Sequence, residues 1–341
     1  MTVAIDAPAA PRIAVVIPCY KVTRHVAAVI AGIGPEVSRI YCVDDACPDG
    51  SGAMIERTVA DPRVTVLTNA VNSGVGGAVI TGYRQALADG CDVIVKVDGD
   101  GQMDPRLIPQ FVAPILAGQA DYTKGNRFYN IEDLQDMPRL RLFGNAALSF
   151  LTKLSSGYWD IFDPTTGYTA IHAAVLGELP LDKIARRYFF ESDILFRLAT
   201  LRAVVVDIPM RAVYGDERSN MVIHQLVGPF LSRNLVNFAK RLGYNYYLRD
   251  FNLASVELVL GVALLAMGTA FGATRWIEGA IAGVPVSAGT VMVAALPIIL
   301  GLQMLLAAFG HDIAAVPRRP IHLRLRRRVS LPPLPGLQGE P

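Results

Sequence analysis

The sequence predicts an α/β domain, a mostly parallel sheet covered by helices on both faces, followed by a C-terminal hairpin of two transmembrane helices. Three observations predict it. Short apolar, β-branched runs alternate with helical segments over the first hundred residues, as in a parallel sheet buried on both sides. Three of those runs end in polar residues, at the carboxyl edge where open α/β sheets hold ligands. Two nearly uncharged stretches, 253–273 and 287–309, are of the roughly 20-residue length that crosses a 30 Å hydrocarbon core.

The elements follow in order. Residues 13–18 form the first strand, ended by Pro18, and 23–33 a helix. A second strand over 38–43 runs into Asp44-Asp45, 51–59 suits a helix and 64–68 a third strand. A helix with a small-residue start covers 74–87, and a fourth strand over 92–97 ends on Asp98. Beyond residue 120 the pattern loosens: a strand and turn at 123–128, helices at 140–155 and 182–198, a late strand at 204–209. Residues 225–241 form an amphipathic helix whose Arg233, Lys240 and Arg241 suit a membrane surface or, equally, a solvated basic face. The expected organisation is a lead-in over 1–11, a catalytic domain over 12–223, a juxtamembrane region over 224–250, the two spans within 251–311 and a basic tail over 312–341.

Of the 341 residues, 52% are hydrophobic and only 18% charged, against about a quarter in ordinary soluble domains. The 32 basic and 30 acidic residues nearly cancel, so net charge gives no reason to expect nucleic acid as a partner. Placement is more telling. Lys240, Arg241 and Arg249 precede the first span, and Arg318, Arg319, Arg324, Arg326, Arg327 and Arg328 follow the second. Basic flanks stay in the cytoplasm, which puts the α/β domain and both termini on the cytoplasmic face of the membrane. Cys19, Cys42, Cys47 and Cys91 lack zinc-site spacing and read as reduced, buried thiols. No cleavable signal is visible at the N-terminus. Gly261 and Gly268 allow the spans to associate into a homo-oligomer or simply face lipid.

Asp98-Gly99-Asp100-Gly101-Gln102 directly follows a strand. Two carboxylates one residue apart at a strand end reach a single hard cation, Mg²⁺ or Mn²⁺, which in turn bridges a diphosphate. Asp44-Asp45 offers acceptors to a base N–H or ribose hydroxyls, or else caps a turn. Asn72–Gly77 resembles a phosphate-cradling loop at a helix start, lacks the Lys-Ser/Thr of a P-loop, and is also explained by close packing.

The segments Val-Ile-Pro-Cys-Tyr (16–20), Val-Asp-Asp-Ala-Cys-Pro-Asp-Gly-Ser (43–51), the 72–82 loop, Asp-Gly-Asp-Gly-Gln-Met-Asp-Pro (98–105), Gly-Asn-Arg-Phe (125–128) and Asp-Pro-Thr-Thr-Gly-Tyr (163–168) occur in that order. Together they resemble the family 2 glycosyltransferases, in the branch of dolichol-phosphate mannose synthases and polyprenyl-phosphate glucosyltransferases. The resemblance implies a GT-A fold and an inverting transfer of a hexose, from a nucleotide-sugar of the UDP-glucose or GDP-mannose class to a polyprenyl phosphate in the lipid bilayer. It implies that Pro18, Tyr20, Val43, Asp45, Asp98 and Gly99 hold the nucleotide-sugar, and that Asp98, Asp100 and Gln102 hold the metal. Arg127 would meet donor or acceptor phosphate, and Asp163 would lie near the acceptor. A lipid phosphate is already ionised and needs no strong base, so Asp163 is expected to position rather than to abstract a proton.

Two departures qualify this. Pro18-Cys-Tyr-Lys-Val22 replaces the common Pro-Thr-Tyr-Asn-Glu, leaving Lys21 to pair with a phosphate or to stay solvated. Tyr214–Asn220 stands where mannose synthases carry Arg-x-x-Gly-Glu-Ser-Lys; Arg218 and Ser219 could still bind the lipid phosphate, but the change argues against mannose. Glu191 reads as a helix-surface residue or one that closes the site. Two other functions remain open: a polysaccharide-building family 2 transferase, which usually has more spans and a Gln-x-x-Arg-Trp motif, and a non-catalytic membrane scaffold.

Overall fold

A computed structural model describes residues 10–129, 139–211 and 223–325. The chain divides into two compact units: one runs through Asn234 and resumes at Pro317, and the other is Leu235–Val316.

The first unit is built on a seven-stranded sheet of order β3-β2-β1-β4-β6-β5-β7. Its strands are β1 (Ile13–Cys19), β2 (Val37–Asp44), β3 (Val64–Thr68), β4 (Val93–Lys96), β5 (Tyr122–Asn126), β6 (Thr169–His172) and β7 (Val205–Pro209). The helices are α1 (Val26–Ala31), α2 (Ser51–Thr58), α3 (Val75–Ala88), α4 (Ile108–Leu116), α5 (Arg139–Ser156), α6 (Ala173–Glu178) and α7 (Phe190–Leu201). β1 and β4 are buried on both faces, which is why they read as unbroken apolar runs rather than as alternation. Ile17, Val95, Phe111 and Tyr168 belong to the shared core.

One strand runs against the rest. β6 pairs antiparallel with both β4 and β5, with Thr169 opposite Lys96 on one side and Lys124 on the other. At four residues it is too short to stand out in the sequence. Its reversal makes it start, rather than end, at the carboxyl edge of its neighbours, so the 163–168 turn is delivered to that edge.

The expected helix over 182–198 starts only at Phe190. The preceding segment is committed elsewhere: Arg186 gives its carbonyl to Gly77 N–H at 3.0 Å, and Ala185 N–H goes to Asp193 at 2.9 Å. Those groups are then unavailable for a helical ladder.

The second unit holds the end of α8 (Ile223–Leu242), a π-helical turn (Gly243–Arg249) and two long helices, α9 (Leu253–Ala282) and α10 (Ala288–Ala314). Both long helices are apolar enough to cross a membrane, and in their most apolar 18-residue windows only 22% and 17% of residues are buried. A core hairpin of a soluble protein would have the opposite pattern. They outrun the uncharged stretches because Arg275 and Glu278 pair along the helix at 2.8 Å and the turn comes only at Gly283, where φ is +65°. Gly261, Gly268 and Gly301 lie between α9 and α10: a Cβ on Gly301 would come within 2.7 Å of the Gly261 carbonyl. These glycines serve packing within the hairpin, as small residues do between spans. Within this unit Arg241 forks onto Asp312 at 2.6 and 3.0 Å and Tyr246 donates to the same carboxylate at 2.6 Å, all buried. The triad fastens the end of α8 and the π-helical turn to the end of α10.

After α10 the chain rejoins the first unit. Asp121, fully buried before β5, accepts from Val204 N at 2.8 Å, Ile321 N at 2.9 Å, His322 N at 3.0 Å and His322 Nδ1 at 2.7 Å. The His322 ring stacks on His172 with centroids 4.3 Å apart. Burial would raise the Asp121 carboxyl, but the His322 ring and the backbone donors outweigh it and hold it below its ordinary value. Removing a buried partner of this kind costs about 3–5 kcal/mol, so Asp121→Ala should lower the thermal midpoint of the detergent-solubilised protein by several degrees. A lowered carboxylate pKa contributes stability above the unfolded value, about 3.9, that is lost as pH falls through the folded one. The acid limb of the unfolding curve should therefore be shallower in Asp121→Asn than in wild type.

Candidate active site

The carboxyl edge of the sheet gathers the predicted residues from five strands. Tyr20 follows β1 and is exposed; Lys21 follows it at a left-handed φ of +59°, its N–H donating to Cys47 Sγ at 3.1 Å and its ammonium 5.7 Å from the Tyr20 ring centroid. Pro18 is half-buried within β1, and the Val43 side chain is wholly in the core. The Tyr20–Lys21 pair thus presents the side-chain surface at this end, while Pro18 and Val43 shape the strands beneath it.

Asp44 and Asp45 face inward. Asp44 accepts from Cys47 N at 2.7 Å and Gly52 N at 2.6 Å, fixing the start of α2. Asp45 accepts from Asn69 Nδ2 at 2.8 Å, Ser73 N at 2.9 Å and Gly74 N at 2.8 Å. Its carboxylate therefore organises the 72–77 loop. The glycines of that loop answer to close packing: a Cβ on Gly74 or Gly76 would come within 2.7 Å of the Arg186 or Ala185 carbonyl.

Asp98, Gly99, Asp100 and Gln102 follow β4. Asp98 shares Oδ1 with the ammonium of Lys96 at 2.7 Å, and its side chain keeps 27% of its surface exposed. Lys96 is wholly buried and also donates to the Gly167 carbonyl at 3.0 Å, with Glu191 Oε1 at 3.5 Å. Burial alone would lower the Lys96 pKa; Asp98 and Glu191 reverse that and raise it, so the ammonium is a fixed charge. Burial pushes the Glu191 carboxyl up, only partly offset by Lys96. Asp100 accepts from Gln102 N at 3.0 Å, and Gly101 takes a φ of +78° to make the turn. The antiparallel register carries on past Lys96–Thr169 to put Gly167 beside Asp98. A Cβ on Gly167 would collide with Asp98 Oδ2 and Lys96 Nζ. Tyr168, stacked on Phe111 at 4.0 Å, donates to the Asp104 carbonyl at 3.1 Å and closes the turn against the other end of the same loop.

Asp98, Asp100 and Gln102 supply only oxygen donors, which suits a hard divalent cation. No group of three His, Cys, Asp or Glu converges among the described residues.

Arg127, after β5, forks onto Asp163: Nε donates to Oδ2 at 2.7 Å, Nη2 to Oδ1 at 2.8 Å and the backbone N–H to Oδ2 at 3.2 Å. Asp163 is buried at a φ of +50°. Burial works to raise its carboxyl, but Arg127 and then Lys124 prevail and hold it below the ordinary carboxylate range. Arg218 and Ser219 lie outside the described residues. Sequence reasoning missed Lys96, Lys124 and Asp207 and left Glu191 between a helix surface and the site. The available signal was Lys96 closing the apolar strand β4; Lys124, in the middle of the polar β5, carries no such mark.

A family model described as "Glycosyl transferase family 2" matches residues 14–179. An undecaprenyl-phosphate mannosyltransferase of Micrococcus luteus is 32% identical over 221 residues, 64% of this chain and 90% of that protein. The chain belongs to glycosyltransferase family 2. A UDP-N-acetylglucosamine–dolichyl-phosphate N-acetylglucosaminyltransferase of Methanococcus voltae is 32% identical over 154 residues, 45% of this chain and 61% of that one. Among solved structures, glucosyl-3-phosphoglycerate synthase of Mycobacterium tuberculosis, in complex with Mn²⁺, UDP-glucose and phosphoglyceric acid, has a TM-score of 0.51 at 19% identity. The match covers 68% of this chain and 80% of that one. The protein is thus a glycosyltransferase on a GT-A-like sheet, with two apolar helices appended.

Gly167→Ala tests the geometry of the edge. The added methyl must displace Asp98 or Lys96, and a displacement near 1 Å at a reacting centre costs on the order of a hundredfold in rate. Sugar transfer should fall by about that factor while the thermal midpoint changes little.

Proposed function

We propose that this family 2 enzyme transfers a hexose from a nucleotide diphosphate-sugar to a polyprenyl phosphate at the cytoplasmic membrane face, with Mg²⁺ or Mn²⁺ on the donor. The observation that carries the reading is the meeting of two loops at one sheet edge. The Asp98–Gln102 loop has the oxygen donors for a cation and a diphosphate, and the Arg127–Asp163 fork has the cation for an acceptor phosphate. The two relatives differ in the sugar their names give, mannose against N-acetylglucosamine, and agree on a polyprenyl phosphate acceptor. The acceptor class is accordingly the firmer inheritance, and the donor stays at the level of UDP-glucose or GDP-mannose.

In this reaction an acceptor phosphate oxygen attacks the anomeric carbon from the face opposite the diphosphate. The new C–O bond forms as the bond to the leaving nucleoside diphosphate breaks, inverting the centre. The cation, when bound, offsets charge on the leaving diphosphate. Asp98, Asp100 and Gln102 would hold it, and Tyr20 with Lys21 would meet the nucleotide. The acceptor arrives ionised, so no group must take its proton. Asp163, held ionised and forked on Arg127, aims the guanidinium at the acceptor phosphate.

The membrane side of the proposal rests on α8 as well as the spans. Among the described side chains of α8, Asn234, Asn237 and Arg241 are buried, while Leu231, Leu235 and Val236 are exposed beside Ser232, Arg233 and Lys240. Exposed apolar side chains interleaved with basic ones suit a bilayer surface. The exposed Tyr244, Tyr247, Leu248 and Phe251 continue the apolar surface to the start of α9. Lys240, Arg241 and Arg249 on one side of the hairpin, and Arg318, Arg319 and Arg324 on the other, favour the cytoplasmic face for both.

Radiolabel from UDP-glucose or GDP-mannose should enter the lipid fraction when the purified protein is given polyprenyl phosphate and Mg²⁺ or Mn²⁺. Chelation should abolish it, and Asp100→Ala should cut it at least roughly a hundredfold, since a cation at a leaving group supplies several kcal/mol. No lipid label from any donor, with nucleotide still bound, would remove the lipid-phosphate acceptor. Asp163→Asn separates positioning from base catalysis, because Asn tolerates the left-handed backbone. Positioning predicts that the rise in acceptor KM exceeds the fall in kcat. Loss of a general base would take about 10²–10⁴ from kcat itself.

A further inference from the structure

Beneath the Arg127–Asp163 fork lies a second layer of charge, a buried lysine and a half-buried carboxylate, that the transfer chemistry does not touch. Lys124 lies on β5 and Asp207 on β7, and the two strands pair in parallel with these residues opposite each other. The Lys124 ammonium is within 3.2 Å of Asp207 Oδ1 and donates to the carbonyls of Gly125, at 3.1 Å, and of Phe162. Asp207 Oδ2 accepts from the Phe162 N–H at 2.7 Å and from Asn126 Nδ2 at 3.0 Å. Both backbone groups of Phe162 are therefore gripped by charged side chains, one from each strand. Phe162 is the residue before Asp163, whose φ of +50° lies in the left-handed region, uncommon for non-glycine residues though aspartate enters it more readily than most. Asn126, the residue before Arg127, joins the same layer to the residue after it, its Oδ1 accepting the Phe128 N–H at 2.9 Å.

We infer that Lys124 and Asp207 are positioning residues for acceptor transfer: by clamping Phe162 they impose the backbone turn that lets Asp163 fork and aim Arg127. The inference rests on the proposed polyprenyl-phosphate reading and adds the pair of residues on which its acceptor side depends. The pair acts as one unit. Burial lowers the Lys124 pKa and raises that of Asp207, each opposed by the other's charge, so removal of either leaves an uncompensated buried group. Lys124 also adds positive charge below Asp163, the third-ranked of the influences holding that carboxyl down after Arg127's own. The donor side is built separately on Lys96, Gly167 and Glu191, so loss of the Lys124–Asp207 layer is expected to spare it.

The test is a double-mutant cycle in the full-length protein in nanodiscs with polyprenyl phosphate. Asp207→Asn should raise the acceptor KM roughly tenfold, leave the donor KM within about twofold, and add less than about twofold once Asp163 is already Asn, because residues acting through one another are not additive. General structural damage predicts otherwise: donor and acceptor constants moving together, or the two substitutions multiplying, and either result overturns the inference. If Asp207→Asn does not accumulate, Lys124→Gln takes its place in the cycle. Failure of both to fold makes the pair a stability element and likewise overturns a positioning role. A wild-type protein that gives no lipid product sinks the reading of function instead, an outcome distinct from a working wild type with unaltered variants.

Discussion

The reversal of one short strand is the constraint on which the site depends. In a wholly parallel sheet the 163–168 turn would enter its strand at the amino edge, far from Asp98. Because β6 runs antiparallel between β4 and β5, it begins at their carboxyl edge, and its register sets Gly167 against Asp98. Two loops separated by some sixty residues of chain then share one surface. Gly167 is the point of contact, where a Cβ would have to displace Asp98 or Lys96.

Under that surface the protein keeps two buried lysines, one on each strand flanking β6. Lys96 fixes the loop that bears the aspartates and Lys124 the loop that bears the Asp163–Arg127 fork, each with a half-buried carboxylate partner, Glu191 and Asp207. Buried ion pairs are poor stabilisers, since desolvation consumes most of their attraction. On the proposed reading their use is geometric: charges held out of water keep the two loops in place before substrate arrives. The opposite end of the same strands has a different task. There Asp121 binds the returning chain through Ile321 and His322, so residues expected only as part of a basic tail are instead bound into the catalytic unit through Leu325.

Much of this was legible in the sequence because its determinants are local. Runs such as Ile13–Cys19 and the Asp98–Gln102 motif announce themselves by composition and by position relative to a strand. The two long apolar helices are legible for the same reason, although Arg275 and Glu278 disguised the length of α9 by pairing on its surface. What was not legible depends on partners distant in sequence. The four residues of β6 carry no sign of direction. Nothing near Asp45 reveals that its carboxylate also accepts from Ser73 and Gly74. Glu191 resembles any acidic residue in a first helical turn until Lys96, almost a hundred positions earlier, is found against it. The small residues Gly261 and Gly268 carried two readings, and the inter-helix contact of α9 with α10 accounts for them within one chain.

The central claim is that donor cation and acceptor phosphate meet at one sheet edge. It is tested most directly by ³¹P relaxation of a polyprenyl phosphate bound to the full-length protein in nanodiscs, with UDP or GDP present and Mn²⁺ exchanged for Mg²⁺. The account predicts strong paramagnetic enhancement of the lipid phosphorus by Mn²⁺, lost in Asp100→Ala while the lipid remains bound. A lipid phosphate that binds with no enhancement under saturating nucleotide and Mn²⁺ would contradict it, placing the acceptor away from the Asp98–Gln102 edge.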